Sequence, residues 1–274
     1  MHLITFSRKM GANGSEIAKQ VAEKMGYKFY DTAAIEDAAQ EMGILESVKE
    51  IDEKAPPLFQ RFFSHRPAID LDRLDSVVYE LARQGDAVFL GRGSQILLKS
   101  FYCALHVRVT ASVEKRVENL MKRGFHREAA LKAIERSDHE RGAFIKFAFG
   151  VDWENPDLYD VVLNMDKISV KIAVSTVLGI GRSEEIKACS IDAIQSLEKM
   201  GLERRVEAAL IEAGLTYGPT TSISVSVDEP GKVGLIGVVE DQAGKVKAEK
   251  LAKGLKGVVS VDNQIRVIPA DRHA

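Results

Sequence analysis

The chain has 274 residues, 45% of them hydrophobic and 28% charged, enough for one large soluble core or two smaller ones. Its net charge of −2 is evenly spread, with 27 basic and 28 acidic residues up to Cys189 and 11 and 12 after it, so no basic arm favours nucleic acid as the main ligand. The absence of a run of about eighteen apolar residues predicts no membrane span, and six histidines without metal spacing predict no metal site.

In chain order, Leu3 to Phe6 reads as a buried strand. Ser15 to Met25 carries Ile17, Ala18, Val21, Ala22 and Met25 at helical spacing, and Gly26 follows as a stop. Tyr27 to Tyr30 is a second strand and Ala33 to Met42 a helix. Pro56 and Pro57 break the chain, and residues 55–67 read as a mobile insertion because proline lacks a donor and restrains its predecessor. Asp70 to Arg83 is helical. Ala87 to Leu90 is an apolar run into Gly91-Arg92-Gly93, and Ala104 to Val109 is a further strand.

Ser112 to Lys122 and Arg127 to Phe147 read as helices, Val161 to Leu163 as a strand and Val170 to Leu178 as a helix. Apolar strands separated by helices predict a parallel sheet covered on both faces. The pattern changes near Gly179-Ile180-Gly181. Ser190 to Ala213 is helical. Ile223, Val225 and Val227 then alternate into a turn at Glu229-Pro230-Gly231-Lys232, and Val233, Leu235, Gly237 and Val239 alternate out of it, which predicts a hairpin with one buried face. A helix from Gln242 to Leu255 and a strand from Val258 to Val267 complete an αββαβ module. The expected domains are residues 1–181 and 190–270.

The first strand, the stretch "SRKMGANGSEIA" and the helix behind it form an anion-binding arrangement, because backbone N–H groups and the helix dipole face outward there. Set against the P-loop pattern G-x-x-x-x-G-K-[ST], with Gly14 as second glycine, three of four positions depart from it. Ser15 stands at the lysine, Glu16 at the hydroxyl and Lys9 at the first glycine, with another glycine at Gly11. Arg8 and Lys9 place two cations at the entrance, where they can meet phosphate oxygens. Glu16 suits the helix dipole but repels phosphate unless Mg²⁺ lies between them.

Together with "GYKFYDTAAI", "GRGSQILLK", "HVRVTASVEKRV" and "YDVVLNMDKIS" in this order, the loop segment resembles the cytidylate kinase-like family of P-loop nucleoside monophosphate kinases over roughly residues 1–180. The resemblance implies a P-loop NTPase-type sheet sandwiched by helices. It also implies phosphoryl transfer from ATP, with Mg²⁺, to a nucleoside monophosphate, in which the protein positions two anions and neutralises charge. Arg8, Lys9, Gly11, Ala12, Asn13, Gly14, Ser15 and Glu16 would then hold the donor phosphates. Asp31 would stand beside the acceptor nucleotide and Arg92 at its phosphate. Arg136 and Arg141, in "RSDHERGAF", would close over the phosphates as a lid, helped by a bend because a spacing of five sets them about 140° apart on a helix.

Other readings stay open at each position. Asp31 also reads as a helix N-cap, and Arg136 and Arg141 as part of a solvated charged face. Arg116 and Arg123 read as surface helix residues, Trp153 as a packing anchor, and His126 and His139 as surface or capping residues. "GKVGLIGVV" and "GVVSVDNQIRV" resemble the BON domain over roughly Leu202 to Ile268, which implies a binding module that meets a protein or phospholipid. Lys245, Lys247, Lys250, Lys253 and Lys256 lie along its helix and read first as a solvated face. Two cysteines, Cys103 and Cys189, form no disulfide framework and fit a reducing cytosol, so a cytoplasmic location is expected. The eroded loop also leaves room for a second reading, a nucleotide-sensing regulator without catalysis that reports through the BON-like module.

Overall fold

The first strand, β1 (Leu3–Arg8), is buried at five of its six residues, which requires cover on both faces and strand neighbours on both sides. A computed structural model, describing residues 2–50, 66–186, 188–216 and 221–268, shows how that requirement is met. The strands β2 (Lys28–Tyr30), β3 (Ala87–Leu90), β4 (Ala104–Thr110) and β5 (Val161–Asn164) join β1 in the order β2-β3-β1-β4-β5. Every pairing in this sheet is parallel. The helices α1 (Gly14–Met25), α2 (Thr32–Glu41), α3 (Leu45–Glu50), α4 (Arg66–Arg83), α5 (Ser94–Leu97), α6 (Val113–Met121), α7 (Arg127–Phe149) and α8 (Val170–Gly181) run between and after the strands.

On one face, Ile17, Ala18, Val21 and Ala22 of α1 and Ala173, Val174 and Val177 of α8 pack onto Ile4, Phe6, Val88, Leu105 and Val107 of the strands. Four of the five apolar positions read at helical spacing in α1 are therefore buried, and the fifth, Met25, is partly buried. Of the 55–67 insertion, residues 55–65 lie outside the described residues. Pro67 belongs to the first turn of α4, where its missing N–H has no partner to lose. The helix therefore starts four residues earlier than the sequence pattern suggests.

The C-terminal part is α9 (Ile191–Glu212), β6 (Ser222–Glu229), β7 (Lys232–Val239), α10 (Gln242–Lys253) and β8 (Ser260–Val267), the predicted αββαβ order. The β6–β7 hairpin is antiparallel and β8 adds parallel to β7. Ile223, Val233, Leu235, Val239 and Ile265 of the strands meet Leu202, Val206 and Leu210 of α9 in one core.

The chain divides into two compact units whose composition departs from the sequence boundaries. One holds β1–β5 with α1 and α5–α8. The other holds everything from Ile191 onward together with α3 and α4, which lie inside the segment 1–181. Local pattern cannot show this, because α4 reads as an ordinary amphipathic helix whose partner is named nowhere near it. Ile69 of α4 packs with Ala208 and Ile211 of α9. At Gly201, in mid α9, an added Cβ would stand 3.5 Å from Cβ of Tyr79, so the glycine marks where the two helices come close.

A second departure concerns the cysteines. Cys103, just before β4, and Cys189, just before α9, are joined in a disulfide with Cα atoms 4.9 Å apart, within the usual span. Their 86-residue separation in sequence hid this pairing. No described helix is long and apolar enough to cross a membrane.

Candidate functional site

Parallel strands end together, and the chain leaves β1 and β3 on the same side of the sheet, through residues 9–13 and Gly91–Gly93. Ligands of open parallel sheets occupy this crevice. After β1 the backbone folds tightly. Lys9 N–H donates to Val109 O at 3.0 Å and Ala12 N–H to Lys9 O at 3.2 Å. The carbonyls of Met10 and Gly11 accept from Arg116 Nη1 (3.4 Å) and Asn119 Nδ2 (2.9 Å) of α6. In a trans peptide the N–H opposes the preceding carbonyl, so the N–H of Gly11 points away from α6.

The first helical bond of α1 runs from Ile17 N–H to Asn13 O, which leaves the N–H groups of Gly14, Ser15 and Glu16 ahead of the ladder, at the positive end of the helix dipole. The two glycines of the loop serve different ends. Gly11 has φ +81°, and an added Cβ would stand 2.8 Å from Arg116 O; at Gly14 it would collide with Cβ of Arg8. Any larger residue would lift the loop off α6 or off β1.

The loop opens into a cleft of about 230 Å³ lined by Arg8, Lys9, Met10, Gly11, Asn13, Gly14, Ser15, Glu16, Leu120, Arg123 and Arg141. Beside it is a narrow recess of about 20 Å³, lined by Ser7, Arg8, Gly91, Arg92, Gly93, Gln95, Arg141, Phe144, Ile145 and Trp153. Arg8 and Arg141 line both, and Arg141 Nη1 donates to Arg8 O at 3.3 Å. Arg92 is fully buried at φ +58°, with Nη2 3.4 Å from Glu36 Oε1. A left-handed, buried arginine is strained and costly to hold, and it lies at the mouth of a strand.

The predicted residues therefore divide. Arg8, Lys9, Gly11, Asn13, Gly14, Ser15, Glu16 and Arg141 line the larger cleft, Arg92 lines the recess, and Ala12 is buried beneath the loop. Asp31 lines neither; its Oδ1 accepts from Ala34 N–H at 3.1 Å, the N-cap of α2. Arg136 is 79% exposed with Nε 3.6 Å from Glu140. Because α7 continues through both arginines without a break, the 140° between them persists and only Arg141 reaches the cleft. His126 and His139 are exposed, as expected, and no group of three or more His, Cys, Asp or Glu among the described residues could hold a metal ion.

The sequence reading missed a set of charged residues beneath the cleft. Arg108, paired in register with Ser7, is buried. Its Nη1 donates to Trp153 O at 2.5 Å and to Tyr159 Oη at 2.9 Å, its guanidinium lies 4.5 Å from the Trp153 ring centre, and its Nη2 is 3.0 Å from Glu154 Oε1. The same Glu154 oxygen lies 3.0 Å from Lys9 Nζ, so Lys9, one of the two entrance cations of the sequence reading, is paired with a carboxylate.

Arg116 is likewise no surface residue: it is buried and bound to Asp138 at 2.6 Å. Arg123 is exposed but part of the cleft wall, its Nη2 donating to Asn13 Oδ1 at 2.6 Å. A positive charge between the end of a helix and Gly124 (φ +94°) was the only local sign of it. Trp153 is a buried anchor, as read. In the C-terminal unit, the lysines of α10 are partly engaged: Lys245 Nζ donates to Ile265 O, Lys247 Nζ to Ala213 O and Lys253 Nζ to Glu249.

Residues 3–167 match the model of the cytidylate kinase-like family, and residues 201–269 match the BON domain. No curated protein matches the chain. Among solved structures, an uncharacterized protein from Eubacterium ventriosum is similar at 17% identity with a TM-score of 0.54, covering 67% of this chain and 99% of its own. Shikimate kinase from Bacteroides thetaiotaomicron is 14% identical with a TM-score of 0.40, over 65% of this chain and 97% of its own. An unliganded sugar kinase from Janibacter sp. is 13% identical with a TM-score of 0.41, over 69% and 99%.

Proposed function

Since the chain belongs to the cytidylate kinase-like family, we propose that its parallel-sheet unit transfers a phosphoryl group from ATP to a nucleoside monophosphate, with a cytidylate as the first candidate acceptor. The observation that carries this reading is the wall shared by Arg8 and Arg141 between the loop cleft and the Arg92 recess. Two anions brought together repel each other, and cations common to both subsites offset that repulsion and the charge developing between them.

ATP suits the larger cleft, where glycines that no Cβ could replace keep the loop low and three first-turn N–H groups stand open. Gly11 to Glu16 hold its phosphates and Arg141 spans toward the acceptor. Mg²⁺ would supply charge neutralisation at the phosphates, and Ser15 and Glu16, which line the cleft, would hold it; a magnesium ion held by one or two side chains and by phosphates needs no larger protein cage. Arg92 grips the acceptor phosphate. Asp31 orients the acceptor nucleotide, an assignment that rests on the family resemblance. The expected outcome is Mg²⁺-dependent turnover of at least one pyrimidine monophosphate, reduced by roughly 10² in kcat in Arg141→Gln, the scale on which lost charge stabilisation acts. A folded protein that turns over none of a full monophosphate panel overturns the kinase reading.

The Lys9–Glu154 pair favours a second reading: with that ammonium engaged and Ser15 in the lysine position, the chain senses a nucleotide without transferring its phosphate. Tight calorimetric ATP binding with no product in a single-turnover assay would select it. The C-terminal module then meets a protein or phospholipid surface in either reading, a role supported by the BON match.

A further inference from the structure

Asn13 stands at the N-cap of α1, where an asparagine side chain ordinarily accepts from the N–H groups of the first turn. Here it makes no such bond. Asn13 adopts φ +62°, and its Oδ1 accepts from Arg123 Nη2 at 2.6 Å instead. The N–H groups at the head of α1 are thereby left uncapped, facing the cleft that Arg123 itself lines.

Four cations line the cleft, Arg8, Lys9, Arg123 and Arg141. Lys9 shares Glu154 with Arg108, and Arg141 Nη1 donates to Arg8 O. Among the described residues no carboxylate pairs with Arg123. An exposed guanidinium fixed at one edge by a neutral amide keeps its remaining donors and its full charge. A second, independent feature sets its position. Arg123 N–H donates to Leu120 O and Phe125 N–H returns to the same carbonyl, so the turn that ends α6 holds the backbone of Arg123 beside the loop.

We propose that Arg123 is the cation that addresses the outer phosphates of the bound triphosphate, in place of the ammonium that loops of this type carry; the proposal rests on the ATP reading above. The second effect of Arg123 is to hold Asn13 off the head of α1, so that the first-turn N–H groups and the guanidinium meet the same ligand.

The test is calorimetric titration of the full chain with ATP, ADP and AMP at two salt concentrations, with thermal melting to confirm folding. Arg123→Gln retains an amide donor for Asn13 but no charge. It is expected to weaken ATP about tenfold or more, the scale of one charged hydrogen bond, to leave AMP nearly unchanged, and to flatten the salt dependence of ATP binding. Arg123→Lys is expected to recover part of the loss. Asn13→Gly, which permits the same backbone and removes the tether, is expected to keep the preference for ATP over AMP. The proposal is overturned if Arg123→Gln binds ATP as wild type does, if ATP and AMP weaken alike, or if Asn13→Gly reproduces the loss. Wild-type protein that binds no nucleoside triphosphate overturns the ATP reading itself, and the Arg123 assignment with it.

Discussion

Arg116 and Asp138 are 22 positions apart, and each would pass for a surface charge. Yet the Arg116 side chain is 5% exposed, and it ties Asp138 Oδ2 at 2.6 Å while Asp138 Oδ1 accepts from Met10 N–H at 3.4 Å. The pair thus links α6, α7 and the phosphate-binding loop. Taking one partner from a buried ion pair leaves the other charged, desolvated and alone, which costs about 3–5 kcal/mol. Asp138→Ala is expected to lose stability on that scale, whereas Glu118→Ala, which breaks the exposed Lys115–Glu118 pair at 3.5 Å, is expected to lose no more than about 0.5 kcal/mol. Urea denaturation of the two variants measures both; equal losses would mean that the Arg116 pair is surface-like. The loop glycines were legible because their requirement is local: a turn between a strand and a helix. Arg108, Arg116 and Arg123 were not, because their roles are set by residues 45, 22 and 110 positions away, and a charged residue's burial is decided by the partner.

Helices were legible where an apolar stripe faces the sheet, as in α1 and α8, and less so where a helix packs on another helix. The contact between α4 and α9 illustrates the second case and carries an unusual electrostatic load. Arg204 Nη1 lies 3.2 Å from Asp72 Oδ1 and 2.8 Å from Glu207 Oε2, so one cation serves several acids. Burial, opposed by Arg204, pushes the carboxyls of both Asp72 and Asp75 up to about 7. A carboxyl whose folded pKa exceeds its unfolded value keeps a proton that the unfolded chain releases, so stability falls as pH rises between the two values. The unit is therefore expected to melt higher at pH 5 than at pH 8, the loss accumulating between about pH 4 and 7. Asp75→Asn is neutral throughout and removes its share of that slope. Its melting temperature is expected to gain roughly 2–4 °C at pH 8, equivalent to about 1 kcal/mol, and to change little at pH 5. Melting curves across this range check the sign; a variant as pH-sensitive as wild type would show that Asp75 ionises freely.

For the whole molecule, family extent and physical unit are different things. Motifs mark residues 3–167 and 201–269, and the sequence boundaries at 181 and 190 follow them. Packing draws another line, because a helix joins whichever apolar surface it can cover, and α4 covers α9. Ile69 of α4 packs with Ala208 and Ile211, and a Cβ added at Gly201 would come within ordinary contact of Tyr79. Gly201 in mid helix costs about 1 kcal/mol relative to alanine, and an alanine Cβ there would meet Tyr79 and Ser76 at ordinary contact distances, so the packing of α4 on α9 does not require the glycine. Residues 190–274 alone would keep β6–β8 and α10 but expose the face of α9 that α4 covers, and burial of apolar area is the main term holding so small a module together. That fragment is expected to melt at least 10 °C below the same unit in the intact chain, since a deficit of about 2 kcal/mol in a domain under 100 residues shifts the midpoint by roughly 8–16 °C, and to bind a hydrophobic dye before it melts. A peptide spanning Arg66–Arg83, added in trans, is expected to suppress the dye signal and raise the midpoint. A fragment that melts as the intact unit does and ignores the peptide would show that the BON-like module folds without α4, and that the division at residue 190 is physical as well as evolutionary.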